Sequence, residues 1–300
     1  MSTSHNGPAL VILAAGRARR YGGLKPLAPV GPAGEAVLDL LAGDALAAGF
    51  GTLVVVVGPA TGPAIRYHVT RSWPSGVDVR FAEQAAPIGT VDAVLSASSH
   101  IEAGTAFAVA NADDLYGVDG LKLLATHLLD PSPTNALVAY RLRNAVVGDA
   151  PVTRGVCEVG PEGILRSVAE RRMVMAVGDG FVAKDGESPT ELDGDALVSM
   201  NLWGFDAAMP GVFGHAMARA GHASEEAEVL LPDVVDGLVR GDRSSGAAAS
   251  PFEVLVTEGR CIGVTHPDDL SLVQADLAAQ VGRGDRPASP WPDVVTSASG

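Results

Sequence analysis

The basic side chains near the amino terminus are the first candidates for chemistry in this 300-residue chain. Between Met1 and Gly34 there are four Lys and Arg residues and no Asp or Glu, although the whole chain has a formal net charge of -14 at pH 7. These cations lie in a glycine-rich run that includes Gly16, Arg20 and Lys25. Glycine permits backbone conformations that direct N–H groups at phosphate oxygens, and the cations supply charge. The run predicts a polyanion-binding loop; a surface loop that happens to be basic is the alternative.

A carboxylate later in the chain is the second candidate. Asp113 follows the apolar run Ala106–Ala110, which predicts a buried strand. If this strand lies parallel to the one before the basic loop, the two loops meet at one edge of the sheet. Mg²⁺ prefers carboxylate oxygens together with phosphate oxygens and water. Asp113 is therefore predicted to bind the metal, whereas Asp114 could instead cap or brace the turn.

The segments around the basic loop predict a βαβ unit. Before the loop, the apolar run Ala9–Leu13 is typical of a strand buried on both faces of a parallel sheet. After it, a helical spacing of Val and Leu stops at Gly49, and a second apolar run covers Thr52–Val57. The alternation of strand and helix continues to about residue 140, and shorter β-like pieces begin at Gly155. This order predicts an α/β fold with a mostly parallel sheet.

Five segments together resemble the sugar-phosphate nucleotidyltransferase superfamily. The first runs from Ala14 to Leu27. Within it, Arg20–Lys25, followed by Val30–Glu35, looks like a broad bacterial branch of that superfamily, mostly of unassigned substrate. The others follow in the family's order, at residues 84–90, 111–117, 199–205 and 263–270. The resemblance implies the nucleotide-diphospho-sugar transferase fold, in which a Rossmann-like, mostly parallel sheet is flanked by helices and carries a smaller β-rich acceptor-binding part.

The resemblance also implies roles for individual residues. Arg20 and Lys25 would stabilise phosphate groups, and Asp113 would bind Mg²⁺. Nucleotide contacts are implied for Leu13, Ala14, Ala15, Gly16, Gln84, Pro87, Gly89 and Thr90. Acceptor contacts are implied for Asn111, Glu170, Arg171, Ser199 and Asn201. The alternatives are a polar turn that caps a helix for residues 84–90, and a solvated ion pair or a strand-end turn for the acceptor residues.

Three positions depart from the family pattern. Ala18 and Arg19 stand where the family usually has Gly and then Ser or Thr, which stiffens the loop and adds a cation. Asp92 stands where relatives often carry His or Gln, so base recognition stays open. Thr265 stands where some relatives place a second metal-binding Asp. The sequence therefore predicts one strong carboxylate ligand, Asp113, and leaves a second one open.

The predicted activity is a Mg²⁺-dependent transfer of a nucleotide from a nucleoside triphosphate to a sugar 1-phosphate or a similar phosphorylated small molecule, with release of pyrophosphate. A phosphate monoester is largely dianionic at pH 7, so it attacks without a protein nucleophile. The chain has no Gly-x-Ser-x-Gly elbow and no P-loop. Two alternatives remain: a cytidylyl- or guanylyltransferase that acts on a non-sugar phosphate, and a non-catalytic nucleotide sensor.

The organisation that follows has a nucleotide-binding part at residues 1–150 and an acceptor-binding part at 151–281, whose last helices return to the first half. Residues 282–300 are rich in Gly, Pro, Ser and Asp and are expected to form a flexible tail.

Composition narrows the partners and the location. There is no apolar run of membrane-spanning length and no signal-peptide pattern, so a cytoplasmic protein without a membrane partner is expected. Because 35 acidic residues outnumber 21 basic ones, no nucleic-acid partner is expected. Cys157 and Cys261 are expected to be reduced, packed thiols.

Overall fold

Strands and helices alternate from the amino terminus, as the sequence predicts. The computed structural model describes residues 7–16, 24–148, 150–223, 228–241, 251–263 and 269–291. The first elements are β1 (Ala9–Leu13), α1 (Val37–Ala48), β2 (Thr52–Val57), α2 (Gly62–Ser72), β3 (Val79–Glu83), α3 (Thr90–Ala97) and β4 (Phe107–Asn111). The strands pair in the order β4-β1-β2-β3, and all of these pairs are parallel. Their carboxyl ends therefore share one edge, where ligands bind in sheets of this kind.

The middle of the chain adds two strands, two helices and a ribbon of four strands. These elements are β5 (Asp114–Leu115), α4 (Gly117–Leu128), β6 (Asn135–Arg141), α5 (Leu142–Ala145), β7 (Val152–Val159), β8 (Leu165–Val177), β9 (Gly180–Ala183) and β10 (Glu191–Leu192). Strands β7 to β10 pair antiparallel with their neighbours and form a ribbon that extends the sheet.

The last part of the chain returns to the main sheet. It consists of β11 (Leu197–Phe205), α6 (Met209–Ala223), α7 (Leu231–Val239), β12 (Phe252–Thr257), β13 (Ile262–Gly263) and α8 (Asp269–Arg283). Strand β11 pairs antiparallel with β4, and β6 lies between β11 and β12. Within the described ranges these strands form one eleven-stranded sheet, while β5 and β13 pair separately. The predicted α/β fold with a mostly parallel sheet flanked by helices is confirmed.

The central strands are buried on both faces because their side chains alternate between two apolar clusters. Leu10 and Ile12 of β1 pack in the cluster that contains residues of α1 and α4. Val11 packs in the other cluster, with residues of α3, α6 and α7. Three layers result, with helices on both sides of the sheet.

Strand β11 joins the two halves of the fold through a change of partner. Its first residues pair with β7, and the stretch Trp203–Phe205 pairs with β4. The register against β6 shifts between Ser199 and Trp203, and Asn201 in this bulge has a left-handed φ of 60°. Asn tolerates this conformation better than most residues. The bulge lies where the ribbon diverges from the main sheet, so it places its polar residues between the two.

Three contacts anchor residues 282–291 to the fold, which corrects the expectation of a flexible tail for this stretch, whereas residues 292–300 lie outside the described residues. Helix α8 continues to Arg283. Beyond it, Arg286 bonds Asp44 of α1 at 2.6 Å, and both side chains are buried. The Trp291 ring lies 5.4 Å from the Trp73 ring, and the Pro290 carbonyl approaches Gly43 too closely for any side chain there. These contacts fasten the segment to α1 and α2.

Among the described helices, none combines the length and apolar character that crossing a bilayer would demand.

Candidate active site

The predicted metal ligand and the predicted phosphate-binding lysine lie together at the carboxyl edge of the sheet. Leu13 at the end of β1 is in register with Asn111 at the end of β4. Lys25 begins a single 3₁₀ turn, and Asp113 lies in the turn between β4 and β5. The Lys25 Nζ is 3.5 Å from the Asp113 Oδ2, with side-chain exposures of 18% and 36%. The pair is therefore accessible to a ligand from solvent.

The segment after β1 holds its backbone close to both neighbouring strands. Ala14 N–H donates to the Val56 carbonyl of β2, and Ala112 N–H donates to the Leu13 carbonyl. Ala14 is buried, whereas Gly16 is exposed and no described residue would crowd a side chain there. Ala15, between them, is half-buried. Arg20, the other predicted cation of this loop, lies outside the described residues.

Asn111 and Asp114 form a braced turn beside Asp113. The Asn111 side-chain amide donates to Asp114 Oδ2 at 3.0 Å. The Asn111 backbone N–H donates to the Tyr116 hydroxyl, which donates to the Met200 carbonyl in the β11 bulge. Burial and the nearby Asp113 carboxylate raise the pKa of Asp114 to about 7. Asp114 thus braces this turn, as the structural alternative predicted.

The predicted base-binding segment is held by contacts within the protein. The Gln84 side-chain amide donates to the Gly89 carbonyl at 2.9 Å and to Asp92 Oδ2 at 3.1 Å. Because these bonds use both of its N–H donors, its carbonyl oxygen is the atom left for a ligand. Gly89 has φ 108°, and a side chain there would collide with the Val229 backbone. The positive φ and the close Val229 backbone therefore explain the glycine at position 89 without a bound base.

The segment before α7 packs on the start of α3. Val229 N–H donates to the Ile88 carbonyl, and Val91 N–H donates to the Val229 carbonyl. Leu231 N–H donates to Thr90 Oγ1 at 2.8 Å. Pro87, the remaining predicted nucleotide contact, is exposed at the tip of this loop.

Four of the five predicted acceptor residues line one cavity. The cavity has a volume of about 160 Å³, and Asn111, Glu170, Ser199 and Asn201 are in its wall. Ser199 Oγ accepts the Asn201 backbone N–H, and Asn201 Oδ1 accepts the Trp203 indole N–H. Asn111 also belongs to the turn that carries Asp113, so the cavity opens beside the Lys25–Asp113 pair.

Arg171 is not in the wall of this cavity, which differs from the implied acceptor contact. Glu170 is in the wall of the acceptor cavity, whereas Arg171 lines a second cavity on the ribbon, which Glu170 also reaches. Arg171 forms a bidentate pair with Asp185, with Nε–Oδ2 at 2.8 Å and Nη2–Oδ1 at 3.1 Å. Its Nη2 also donates to the Glu187 and Pro189 carbonyls. Arg171 therefore fastens the 185–189 loop to the ribbon.

Two charged residues in the cavity wall were not found by the sequence analysis. Arg154 of β7 and Asp233 of α7 both line it. Desolvation and the nearby carboxylates of Glu170 and Asp236 raise the pKa of Asp233. No sequence motif marks Arg154. For Asp233, the local signal is the pair Pro232-Asp233 at the start of a helix, because Pro and Asp both favour the first helical turn.

The residues at the sheet edge fit a magnesium ion bound with its substrate. Asp113 offers a partly exposed carboxylate beside a cation that attracts phosphate. Mg²⁺ in nucleotide sites commonly takes one or two carboxylates and fills its other positions with water and phosphate oxygens. Over the described ranges, no group of three His, Cys, Asp or Glu side chains forms a metal cage. The stretch 264–268, where a second ligand was considered, lies outside them.

Neither cysteine is a candidate nucleophile. Both thiols are free. Burial raises the pKa of Cys157 to about 12 and raises that of Cys261 well above its usual value. Both are therefore protonated at neutral pH, in agreement with the prediction of reduced, packed thiols.

Part of the chain is similar to a known family of transferases. Residues 10–148, a little under half of the chain, match the family model of the MobA-like NTP transferase domain. This match and the relatives below support a relation to the nucleotidyltransferase superfamily.

One curated relative and two solved structures are similar to most of this chain. The chain is 28% identical over 287 residues to the bifunctional protein GlmU of Sorangium cellulosum. The aligned region covers 94% of this chain and 54% of GlmU. The chain thus spans about half the length of this curated relative. The crystal structure of HddC from Yersinia pseudotuberculosis has a TM-score of 0.59 and 16% identity over 90% of this chain and 99% of HddC. HddC complexed with GMP-PN has a TM-score of 0.57, 17% identity and the same coverage.

Proposed function

We propose that this nucleotidyltransferase couples a nucleoside triphosphate to the phosphate of a sugar 1-phosphate, with Mg²⁺ as its cofactor. The observation that carries the proposal is the pairing of Lys25 with Asp113 at 3.5 Å beside the cavity lined by Asn111 and Glu170. The resemblance of five segments to the sugar-phosphate nucleotidyltransferase superfamily suggests a sugar phosphate as acceptor. HddC, which shares the fold, is known in complex with GMP-PN, and this supports a nucleotide as a substrate of the fold.

The proposed reaction needs positioning and charge stabilisation rather than a protein nucleophile. An oxygen of the acceptor phosphate attacks the α-phosphorus of the triphosphate, and a new phosphoanhydride bond forms. The bond from the α-phosphorus to the bridging oxygen of the β-phosphate breaks, and pyrophosphate leaves with that electron pair. The attacking phosphate is already a dianion at neutral pH, so no proton has to be removed.

Each residue of the pair has a distinct task in this proposal. Lys25 neutralises negative charge that builds up on the phosphates as pyrophosphate departs. Asp113 holds Mg²⁺, which when bound supplies positive charge to the triphosphate oxygens. Asn111 and Asp114 keep the Asp113 turn in place through their 3.0 Å hydrogen bond. Pre-alignment of the two substrates supplies up to about 7–11 kcal/mol of the barrier reduction.

The first experiment measures pyrophosphate release from a panel of the four common nucleoside triphosphates with sugar 1-phosphates and non-sugar phosphates. We expect release with Mg²⁺ and a sugar 1-phosphate. Release only with a non-sugar phosphate would favour the cytidylyl- or guanylyltransferase alternative. Tight nucleotide binding by calorimetry without release for any acceptor would favour a non-catalytic sensor.

The second experiment tests the pair itself. Lys25→Met and Asp113→Asn should each lower turnover about 100-fold or more, the size of effect found when one charge-stabilising group is removed. Lys122→Met, which changes an exposed lysine on α4, serves as the matched control and should keep full turnover. Circular dichroism verifies folding of all three. Wild-type turnover in folded Lys25→Met and Asp113→Asn variants would refute the assignment.

A further inference from the structure

Arg154 lines the acceptor cavity and has hydrogen-bond donors that no described residue uses. Its Nε and Nη2 donate to the Ala145 carbonyl at 2.8 and 2.6 Å, and its Nη1 donates to the Thr153 carbonyl at 2.7 Å. A guanidinium has five N–H groups. One N–H on each terminal nitrogen therefore remains, and in the part of the chain that the structure describes neither has a partner.

The charge of this side chain is not neutralised by a direct ion pair. Its three acceptors are neutral backbone carbonyls, and within the described ranges no carboxylate comes within ion-pair distance of it. Burial lowers the pKa of Arg154, and the nearby Asp114 carboxylate raises it in turn. Arginine stays protonated at any physiological pH. A partly buried cation without a paired anion is costly unless a ligand supplies the anion.

The cavity wall holds charges of both signs. Arg154 lines it together with Asp114, and Asp114 follows Asp113 directly, so the cavity adjoins the proposed metal site. Glu170 and Asp233 also line it, and the Glu170 carboxylate helps to raise the pKa of Asp233. Carboxylates repel a phosphate but accept hydrogen bonds from sugar hydroxyls. The wall therefore combines one cation that suits a phosphate with carboxylates that suit hydroxyl groups.

We propose that Arg154 binds the phosphate group of the acceptor and orients it toward the α-phosphate of the nucleotide, while Glu170 and Asp233 accept hydrogen bonds from the hydroxyls of the acceptor. The inference rests on the proposed function and specifies how its acceptor is oriented. Two N–H groups on one planar guanidinium match the two oxygens of a phosphate better than a lysine ammonium does. Arg154, rather than Arg171, is then the arginine that contacts the acceptor in this cavity.

A purely structural role for Arg154 is the competing explanation, because its bonds to Ala145 hold α5 against β7. The two explanations differ in what they predict for ligands. A structural role predicts a loss of thermal stability with similar effects on every ligand. A phosphate-binding role predicts a selective loss of affinity for phosphate-bearing acceptors, with nucleotide affinity retained.

The experiment measures binding of inorganic phosphate and of glucose 1-phosphate by calorimetry, and of the nucleoside triphosphates separately. Arg154→Met should weaken both phosphate probes at least 10-fold and leave triphosphate affinity within 2-fold of wild type. Arg154→Lys should recover part of the loss, since it keeps the charge but not the fork. Arg166→Met, at an exposed arginine of the same ribbon, is the control and should bind as wild type does.

A second measurement uses the intact protein, in case Arg154→Met does not fold. Titration of the wild type with inorganic phosphate should shift the NMR signal of the Arg154 guanidinium, and Glu170→Gln should weaken glucose 1-phosphate but not inorganic phosphate. Unchanged phosphate affinity in folded Arg154→Met, or an unshifted guanidinium signal at saturating phosphate, would overturn the inference. Failure of the proposed function would look different from failure of this inference. In that case the wild type itself would not bind a triphosphate or would not release pyrophosphate.

Discussion

At the scale of single residues, the sequence was sufficient where strand order alone decides position. Lys25 and Asp113 are 88 positions apart in sequence, yet each follows a strand, and those two strands are parallel neighbours. Their proximity follows from that rule. Glu170 and Arg171 show the limit of motif reasoning, because only Glu170 lies in the wall of the acceptor cavity. Arg154 matches no motif, so sequence reasoning missed it. Its candidate role is visible only from its hydrogen bonds to backbone carbonyls and its place in the cavity wall.

The Arg171–Asp185 pair predicts a stability effect without a ligand-binding effect. Arg171→Met removes both bonds to Asp185 and two bonds to loop carbonyls, so it should lower the melting temperature. Affinity for glucose 1-phosphate should stay at the wild-type value, because Arg171 is outside the acceptor cavity. Thermal unfolding and calorimetry of the same preparation check the two halves of the prediction.

The same pair has a defined pH dependence. Hydrogen bonds from Arg171 and from the Arg172 and Glu187 backbone N–H groups hold the pKa of Asp185 well below its usual range. A depressed carboxyl pKa gives stability that is present above the unfolded-state pKa and is lost as pH falls toward the folded-state value. Between about pH 5 and pH 2, the melting temperature of the wild type should therefore fall more steeply than that of Asp185→Asn. Parallel pH profiles would contradict this account.

At the scale of elements, the docked segment before α7 links the two binding regions. Val229 and Leu231 bond the start of α3, while Leu230, Pro232 and Asp233 line the acceptor cavity. One short stretch of backbone thus contacts both the predicted nucleotide loop and the proposed acceptor site. Movement of either would be transmitted to the other through these bonds.

Thr90→Val tests this link. The substitution keeps the shape of the side chain but leaves the buried Leu231 N–H without its acceptor, which should cost about 1–3 kcal/mol of unfolding free energy. Urea unfolding measures the loss. Thr105→Val, at an exposed threonine that bonds only a local carbonyl, is the matched control and should change stability much less. An equal effect of both substitutions would remove the special role of Thr90.

Sequence patterns predicted most elements because the buried strands are short and continuously apolar. The bounds of β1 and β2 agree with the apolar runs at residues 9–13 and 52–57. Helix α7 starts at Leu231, since Leu230 is extended and Pro232 falls in the first turn. Strand β12 was not predicted; it is an edge strand with an exposed Val256, so its burial signal is weaker. Exposed residues interrupt the buried positions of the ribbon strand β8, so no continuous apolar run marks its length.

At the scale of the whole molecule, composition was misleading for residues 284–291, which follow α8. Gly, Pro and Ser make up about half of the last 19 residues, and such a composition usually lacks enough apolar surface to fold. In residues 284–291, however, Trp291 packs on Trp73 and Arg286 pairs with the buried Asp44. The partners of Arg286 and Trp291 are far away in sequence, so the local sequence of this segment cannot predict these contacts.

The buried Arg286–Asp44 pair predicts how much this segment contributes to the fold. Arg286→Met leaves Asp44 buried without its counter-charge, which should cost about 3–5 kcal/mol of unfolding free energy. Burial already raises the pKa of Asp44 above its usual value, and Arg286 opposes that shift. A raised carboxyl pKa means that stability falls as pH rises from the unfolded-state value through the folded-state one. The variant should therefore be closest to wild type at acidic pH and weakest at neutral pH.

A second variant separates the lost charge from the lost packing. Arg286→Met combined with Asp44→Leu replaces both partners by apolar side chains, and such replacements are often neutral or stabilising. The double variant should regain most of the stability that the single variant loses at neutral pH, as measured by urea unfolding. Arg283→Met, which affects only an exposed pair with Asp285, provides the reference for a surface arginine in the same region. If the double variant is as unstable as Arg286→Met, the segment is held by packing of residues 287–291 and the ion pair is secondary.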